Sequence, residues 1–366
     1  MLEIMAPKDF LTNLLINSQY NLQLVDCSIV ANTTRPLANI DRVANAGHDE
    51  FFSREEFAQI ASAIYEVFGF VDVFYSEQDF IDKFIASQPI NDVFVFNFSR
   101  NGIASGKKSL IPAFCDLYKI KYSGSDALTI SLIRNKFFSG SILAYNGISI
   151  PHEWLFEKEH AFKNARLRKG QNYIVKNIDE SASIGMDSDN IFVYQSKKEL
   201  YKKLNALCVK LNKSKLLIQE FVDGKECEVL VIQYNKEYIA MDPIEILLND
   251  RILDSTSSND YDYGFALLSS SCGTDICNEI RRTAEHAAYV LNIKDYARFD
   301  FRIDSKGNFY LFDIAGTPYS IKHSSIAFLF TNVYNLKYSD IFRCIAASSL
   351  HNYNVVNCSA DKGKPL

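Results

Sequence analysis

Residues 297–325 read ARFDFRIDSKGNFYLFDIAGTPYSIKHSS, and the alternation of charged with aromatic side chains in this stretch decides how the rest of the chain is understood. Two runs rich in aromatic and β-branched residues, 298–303 and 308–314, flank Asp304-Ser305-Lys306-Gly307, a turn whose glycine can take positive φ. The stretch is therefore predicted to be a β-hairpin. With Ile303 paired to Asn308, strand alternation sets Asp300 opposite Leu311 and Arg298 opposite Asp313, all on one side. Asp300 and Asp313 become diagonal neighbours roughly 7–8 Å apart, a separation that two carboxylates can close around Mg²⁺. Phe299, Phe301, Ile303, Tyr310 and Phe312 take the opposite side and read as core. A solvated, charged strand face would produce the same pattern, so the hairpin has to be weighed with the remainder of the chain.

That remainder has the balance of a globular protein large enough for two or three domains: 366 residues, 48% hydrophobic, 23% charged, net charge −5. Without a basic excess, no nucleic-acid partner is expected. The eight cysteines are scattered, with no CxxC and no Cys/His ligand spacing, as in reduced cytoplasmic proteins. The first thirty residues carry apolar side chains interrupted by Asn, Gln and Asp, which fits neither a signal peptide nor a membrane span. The expectation is a cytoplasmic protein with no membrane partner.

Residues 1–127 alternate strand-like and helix-like segments, implying an α/β domain with a largely parallel sheet. Ser53-Arg54-Glu55-Glu56 is a capping-box start for a helix carrying Phe57, Ile60, Ala61, Ile64 and Phe68 at helical spacing. Strands are expected at 71–75 and 92–97 and a helix at 108–117. NFSRNGIASGKK at 97–108 is a polar loop following a strand, the place where open α/β sheets hold ligands and also an ordinary βα connection. KYSGSD at 121–126 marks a boundary. An amphipathic helix is expected over 130–145, then an extended segment, then the strand YIVK delivering Lys176 to a small-residue loop with Ser181, Ser183 and Gly185. Such a loop can close on phosphate with the lysine as point charge. A helix at 198–211 buries Leu200, Leu204, Leu207 and Leu211. Strands at 216–221, 227–233 and 236–242 follow, with Glu226 at a strand entrance. The polar stretch 249–271 reads as a long excursion, a lid or loop containing Tyr261 and Tyr263. A helix covers 276–291, an apolar helix or helix pair covers 326–350, and the tail from Asn357 reads as loose.

The order of these parts resembles the ATP-grasp ligases, and within them the D-alanine–D-alanine ligase family, over residues 122–325. The resemblance implies an α/β and α+β chain: a Rossmann-like pre-ATP-grasp domain at 1–126, a central ATP-grasp subdomain with the phosphate loop at 127–212, and a C-terminal subdomain with the metal hairpin at 213–366. It implies an ADP-forming enzyme that joins a small amino-acid-like carboxylate to an amine through an acyl phosphate. Lys176, with Ser183 in its loop, would hold phosphates and Lys136 would be a second nucleotide contact. The hinge Gln219, Glu220, Phe221 and Val222 would meet adenine, and Glu226 the ribose. Asp300 and Asp313 match metal ligands. Arg298 matches the arginine that steadies the tetrahedral intermediate, and Ser324, beside His323, falls at the substrate carboxylate. A homodimer through the first domain is also implied.

Departures from the family pattern are concentrated on the amino-acid side. The metal strand reads Asp313-Ile314-Ala315 where Glu-x-Asn is expected, so ATP would come with one Mg²⁺ and a weakened second site, because Ala315 has no donor. Tyr319 replaces a glycine, Ser258-Asn259 stand where the lid carries lysine and tyrosine, and the acidic substrate residue has only Asp49 or Glu50 as candidates. The expectation is a ligase for a pair other than two D-alanines. The alternative is a degenerate grasp that binds nucleotide or a partner without ligation.

Overall fold

A computed structural model describes residues 6–17, 21–33, 50–87, 93–102, 104–158, 166–179, 190–249, 251–252 and 261–361. In the first part four parallel strands, β1 (Asp26–Ala31), β2 (Asp72–Phe74), β3 (Val93–Phe98) and β4 (Lys121–Tyr122), run in the order β2-β1-β3-β4. Helix Arg54–Phe68 starts at the expected capping box: the Ser53 hydroxyl accepts from Glu56 N, and the Glu56 carboxylate accepts from Ser53 N. Its apolar stripe, Phe57, Ile60, Ile64 and Phe68, is buried.

The middle sheet is antiparallel, β5 (Glu153–Glu157), β6 (Asn172–Lys176), β7 (Ile191–Val193) and β8 (Lys215–Glu220) in the order β5-β8-β6-β7, covered by helix Lys197–Lys210 with Leu200, Leu204 and Leu207 buried. The third sheet comprises β9 (Gly224–Tyr234), β10 (Glu237–Ala240), β11 (Ile244–Leu248), β12 (Tyr263–Leu267), β13 (Tyr296–Asp304) and β14 (Phe309–Ala315), ordered β12-β11-β9-β13-β14 with β10 beside β9. Part of the stretch expected to be an excursion is therefore strand: β12 pairs with β11 from Ile244↔Leu267 to Leu248↔Tyr263. Ser258 and Asn259 lie outside the described residues, as do Asp49 and Ser183.

The hairpin β13–β14 exists, but its register corrects the one derived from uninterrupted alternation. The turn is tied by Asp304, whose Oδ1 accepts from Lys306 N and Asn308 N at 2.9 Å each while Gly307 takes φ 86°. Ile303 then pairs with Phe309, not Asn308, and a β-bulge between Asp300 and Phe301 makes Phe312 the extra residue. Asp300 consequently faces Asp313, Phe301 faces Leu311, and Arg298 faces Ala315. Leu311 and Ile314 join Phe299, Phe301 and Ile303 in the core, whereas Tyr310 and Phe312 do not. A second correction concerns the helix expected over 130–145. It is two helices, Ala127–Arg134 and Lys136–Tyr145, because Asn135 leaves helical geometry (φ −82°, ψ 96°) to cap the second one, its side chain accepting from Phe138 N.

The helix expected to end near 350 runs over Tyr338–Asp361. Its buried face shares one core with Phe10, Ile29, Ile60 and Phe96 from the first part and Leu230 and Ile232 from β9. Ile130, Ile133 and Leu143 pack instead with the third sheet and helix Thr274–Val290. A buried polar hub locks these parts: Asp295 Oδ2 accepts from Gly124 N (3.0 Å) and Ser349 Oγ (2.6 Å), and Oδ1 from Asn352 Nδ2 (3.1 Å). Among the described residues no helix is long and apolar enough to cross a membrane, and the cysteines Cys27, Cys115, Cys208, Cys227, Cys272, Cys277 and Cys344 are free thiols.

Asp295→Ala leaves Gly124 N and Ser349 Oγ without an acceptor and Asn352 Nδ2 with Gln233 alone, and is expected to cost about 3 kcal/mol. Asp295→Asn, which keeps one acceptor and tolerates the positive φ of 64° at this position, should cost distinctly less. Urea denaturation of both variants checks this.

Candidate functional site

The second and third sheets, with the loop that follows β3, line one cleft of about 280 Å³. Its floor is the polar face of β9, β13 and β14. Period-2 alternation sends Cys227, Val229, Phe299 and Phe301 into the core and leaves Glu226, Glu228, Arg298, Asp300 and Arg302 facing the cleft. Across the strands Glu226 pairs with Arg302 and Glu228 with Asp300 in register, and Asp313 flanks Asp300 on the other side.

Every charge on this floor has a partner. Arg298 grips Asp300 with two parallel bonds, Nε to Oδ1 and Nη2 to Oδ2, both 2.8 Å, and reaches Glu228 at 3.0 Å. Glu228 also accepts from the Ser325 hydroxyl. Lys136 Nζ sits between both Asp313 oxygens at 2.6 and 2.7 Å. Arg302 bonds Glu226 (2.9 and 3.1 Å), Val222 O (3.0 Å) and Arg251 O (2.7 Å). Burial, with the Glu228 charge and despite Arg298, raises the Asp300 carboxyl above its ordinary range, and burial likewise raises Glu228. Burial acts the same way on Asp313, but Lys136 and Lys176 overcome it and hold that carboxyl below its ordinary range.

Lys176, at the end of β6, is buried. Its ammonium bonds Gln219 Oε1 (2.9 Å), lies 4.6 Å over the Phe312 ring, and is pushed down by burial to about 8 against the pull of Asp313. The bulge in β14 is what turns Phe312 toward this lysine. Gln219, a buried residue at the end of β8, lines the cleft, and its Nε2 donates to Glu153 Oε2 at 3.2 Å. Glu220, Phe221 and Val222 line the cleft, though Phe221 N is bonded to Asn172 O.

The substrate-side expectations fare differently. Ser324 lines the cleft, but its hydroxyl accepts from Ala327 N (3.2 Å) and donates to Ile321 O (2.7 Å), capping the short helix Ser325–Phe328. His323 is enclosed by the rings of Tyr261, Tyr263 and Phe265 at 4.9–5.1 Å, and burial lowers its pKa. Tyr261 donates to Glu56 at 2.7 Å. Glu50, the described candidate for the acidic substrate residue, is fully buried and held by Lys108 (3.2 Å), Arg134 (2.6 Å) and Lys107 (3.6 Å). Burial alone would raise its pKa, but Lys108 and Arg134 hold it well below the carboxylate range.

Sequence reasoning missed Glu228, Arg302, Glu153 and the cations around Glu50. The first two carried a signal, since each lies two residues from a predicted site residue on a strand and so shares its face. Among the described residues no group of three His, Cys, Asp or Glu side chains converges as a ready metal centre. Asp300 and Asp313 nevertheless supply hard carboxylate oxygens on adjacent strands, the donor type that suits Mg²⁺ when phosphate oxygens complete its shell.

The family model described as "D-ala D-ala ligase C-terminus" matches residues 142–345. The chain is 25% identical to the D-alanine–D-alanine ligase of Wolbachia pipientis over 255 residues, covering 68% of this chain and 75% of that protein. It is 22% identical to the Aquifex aeolicus D-alanine–D-alanine ligase over 213 residues, covering 58% and 68%. Among solved structures, the Bacillus anthracis D-alanine–D-alanine ligase complexed with ATP superposes with a TM-score of 0.65 at 16% identity, covering 89% of this chain and 97% of that one. The Coxiella burnetii D-alanine–D-alanine ligase gives a TM-score of 0.65 at 11% identity, covering 93% and 99%. The fold is that of these ATP-grasp proteins.

Glu153 offers a test of the electrostatics beside Lys176. Burial pushes its carboxyl up to about 7, against the Gln219 hydrogen bond and the nearby lysines. A raised folded-state value means that the folded protein holds a proton the unfolded chain has lost. This contribution is present below pH 4.5, fades as pH rises toward 7, and is absent above. Glu153→Gln should flatten the stability profile between pH 4.5 and 7 and raise stability at pH 8 by roughly 1–3 kcal/mol, as read by denaturant midpoints across pH.

Proposed function

The chain belongs to the D-alanine–D-alanine ligase family, and on that premise we propose that it joins a small amino-acid-like carboxylate to an amine other than the pair of two D-alanines. It is an ATP-dependent ligase that forms a C–N bond. The observation that carries the reading is the meeting of Lys176, Arg298, Asp300 and Asp313 in one cleft, with the Asp300 and Asp313 backbones in register.

In this reading the substrate carboxylate attacks the γ-phosphorus of ATP. An O–P bond forms, the bond to the β-phosphate oxygen breaks, and ADP leaves. The amine then attacks the acyl carbon, the C–N bond forms, the C–O bond to phosphate breaks, and the amine loses a proton. Lys176, buried and carrying its charge on a fixed strand, would neutralise phosphate without reorganising. Arg298, aimed from the floor, would meet the negative charge that develops on the acyl oxygen during amine attack. Asp300 and Asp313 would hold Mg²⁺, which when bound offsets phosphate charge. Binding would require Arg298 and Lys136 to share or release those carboxylates. Glu226 would receive the ribose from beneath Arg302, with residues 219–222 beside the base.

Substrates other than two D-alanines are favoured by three features together: the Ser324 hydroxyl serves as a helix cap, Glu50 is already neutralised by cations, and Ala315 offers no donor. Asp300→Asn and Lys176→Ala should each lower ADP release at least about a hundred-fold in protein that is still folded, as read by a cooperative melting transition. Calorimetric titration of ATP should show Mg²⁺-dependent binding to wild type that Asp300→Asn loses. Ala315→Asn should tighten Mg²⁺. An Asp300→Asn protein that still forms amide would overturn the assignment.

A further inference from the structure

The loop at 97–108, at the C-terminal end of β3, is the site singled out from sequence as a ligand position, and the nucleotide-side reading leaves it unused. It sits where an open parallel sheet presents ligands. Ser99 and Arg100 are tied down by Asn97 and Asn32, and Lys108 N bonds Asn101 O at 3.1 Å. Gly102, at φ 118°, permits this close turn: a Cβ there would stand 2.9 Å from Lys107 Cα. The result brings Lys107 and Lys108 together with Arg134 around Glu50, and Arg100, Lys108 and Arg134 line the cleft.

Three cations thus hold one carboxylate. Arg100 takes no part in the Glu50 pairing. It is 1% exposed, lies between the Phe52 and Tyr319 rings (4.4 and 4.2 Å), and donates through Nη2 to Thr317 O at 3.2 Å. Its Nε, buried, has no partner, and the buried Oγ1 of Thr317 has none either. Glu56 and Glu77, the neighbouring carboxylates, accept from Ser53 and Tyr261 and from Asn32 and Asn101 respectively. A buried guanidinium without an anion is costly to fold around, and Thr317 is only four residues beyond Asp313.

We propose that this end of the cleft binds an anionic group of the amino-acid substrate other than the carboxylate that reacts, so the enzyme takes an acidic amino-acid-like substrate, dicarboxylic or phosphorylated. The proposal rests on the ligase reading for the word substrate, but the anion site itself can be tested apart from it.

The probes are the D and L forms of glutamate, phosphoserine and alanine, titrated calorimetrically into the full chain with and without Mg²⁺ and a non-hydrolysable ATP analogue. Glutamate or phosphoserine should bind at least about ten-fold more tightly than alanine, the size of one charge-assisted hydrogen bond. Whichever of the two binds more tightly identifies the anion as carboxylate or phosphate. Arg100→Gln should erase the difference. Should that variant fail to fold, raising NaCl on wild type gives the same answer, weakening the acidic ligand more than alanine. Alanine binding as tightly as both acidic ligands, absence of binding by either acidic ligand, or equal salt sensitivity overturns the proposal. ADP release separates the two levels: acidic ligands that bind but never release ADP support the anion site against the ligase reading. ADP release with alanine alone does the reverse.

Discussion

Charge cannot be buried without a partner, and the cleft floor is arranged around that constraint. Strand β13 alternates Arg298, Asp300 and Arg302 with Phe299, Phe301 and Ile303, so one face must enter an apolar core while the other meets counter-charges at strand spacing. Its neighbours supply both. Cys227, Val229 and Leu311 continue the core, and Glu226, Glu228 and Asp313 answer the charged face. Because each ionic side chain is gripped by another, across strands for Arg302–Glu226 and Arg298–Glu228, along β13 for Arg298–Asp300 and from a helix for Lys136–Asp313, the geometry is held before any ligand arrives.

The cleft is electrically divided. Its floor holds four carboxylates answered by Lys136, Arg298 and Arg302, a balance that the phosphates and a divalent cation can enter by exchange of partners. Its far wall, built from the β3 loop and helix Ala127–Arg134, holds cations in excess over Glu50. The same fold therefore offers oxygen donors at one end and nitrogen donors at the other. A carboxylate substrate lying between them would have its reacting end near Arg298 and its remaining charge toward Arg100.

The polar hub at Asp295 explains how parts distant in sequence stay registered around this cleft. Gly124, Gln233, Ser349 and Asn352 come from the first sheet's exit, the end of β9 and the last helix, and one buried carboxylate together with its backbone joins them. Lys294 lies over the rings of Tyr122 and Tyr353 alongside it. Each of these contacts spans more than fifty positions, so none is visible as a local pattern.

What the sequence by itself determined is whatever depends on near neighbours along the chain. The capping box at Ser53, the leucine stripe of helix Lys197–Lys210, the hairpin with its acidic and basic face, and Lys176 at a strand end all follow from period and local chemistry. The ATP-grasp resemblance followed from their order. Tertiary structure alone decided the rest. The turn slipped the pairing by one residue and the bulge at Phe312 by a second, so that Asp300 faces Asp313 rather than Leu311 and Phe312 turns toward Lys176. Asn135 split one predicted helix by capping its second half. Glu50 became a buried, cation-bound anchor because Lys107, Lys108 and Arg134, some sixty to eighty positions away, were folded onto it. Such partners are chosen by desolvation in three dimensions, which residue spacing does not encode.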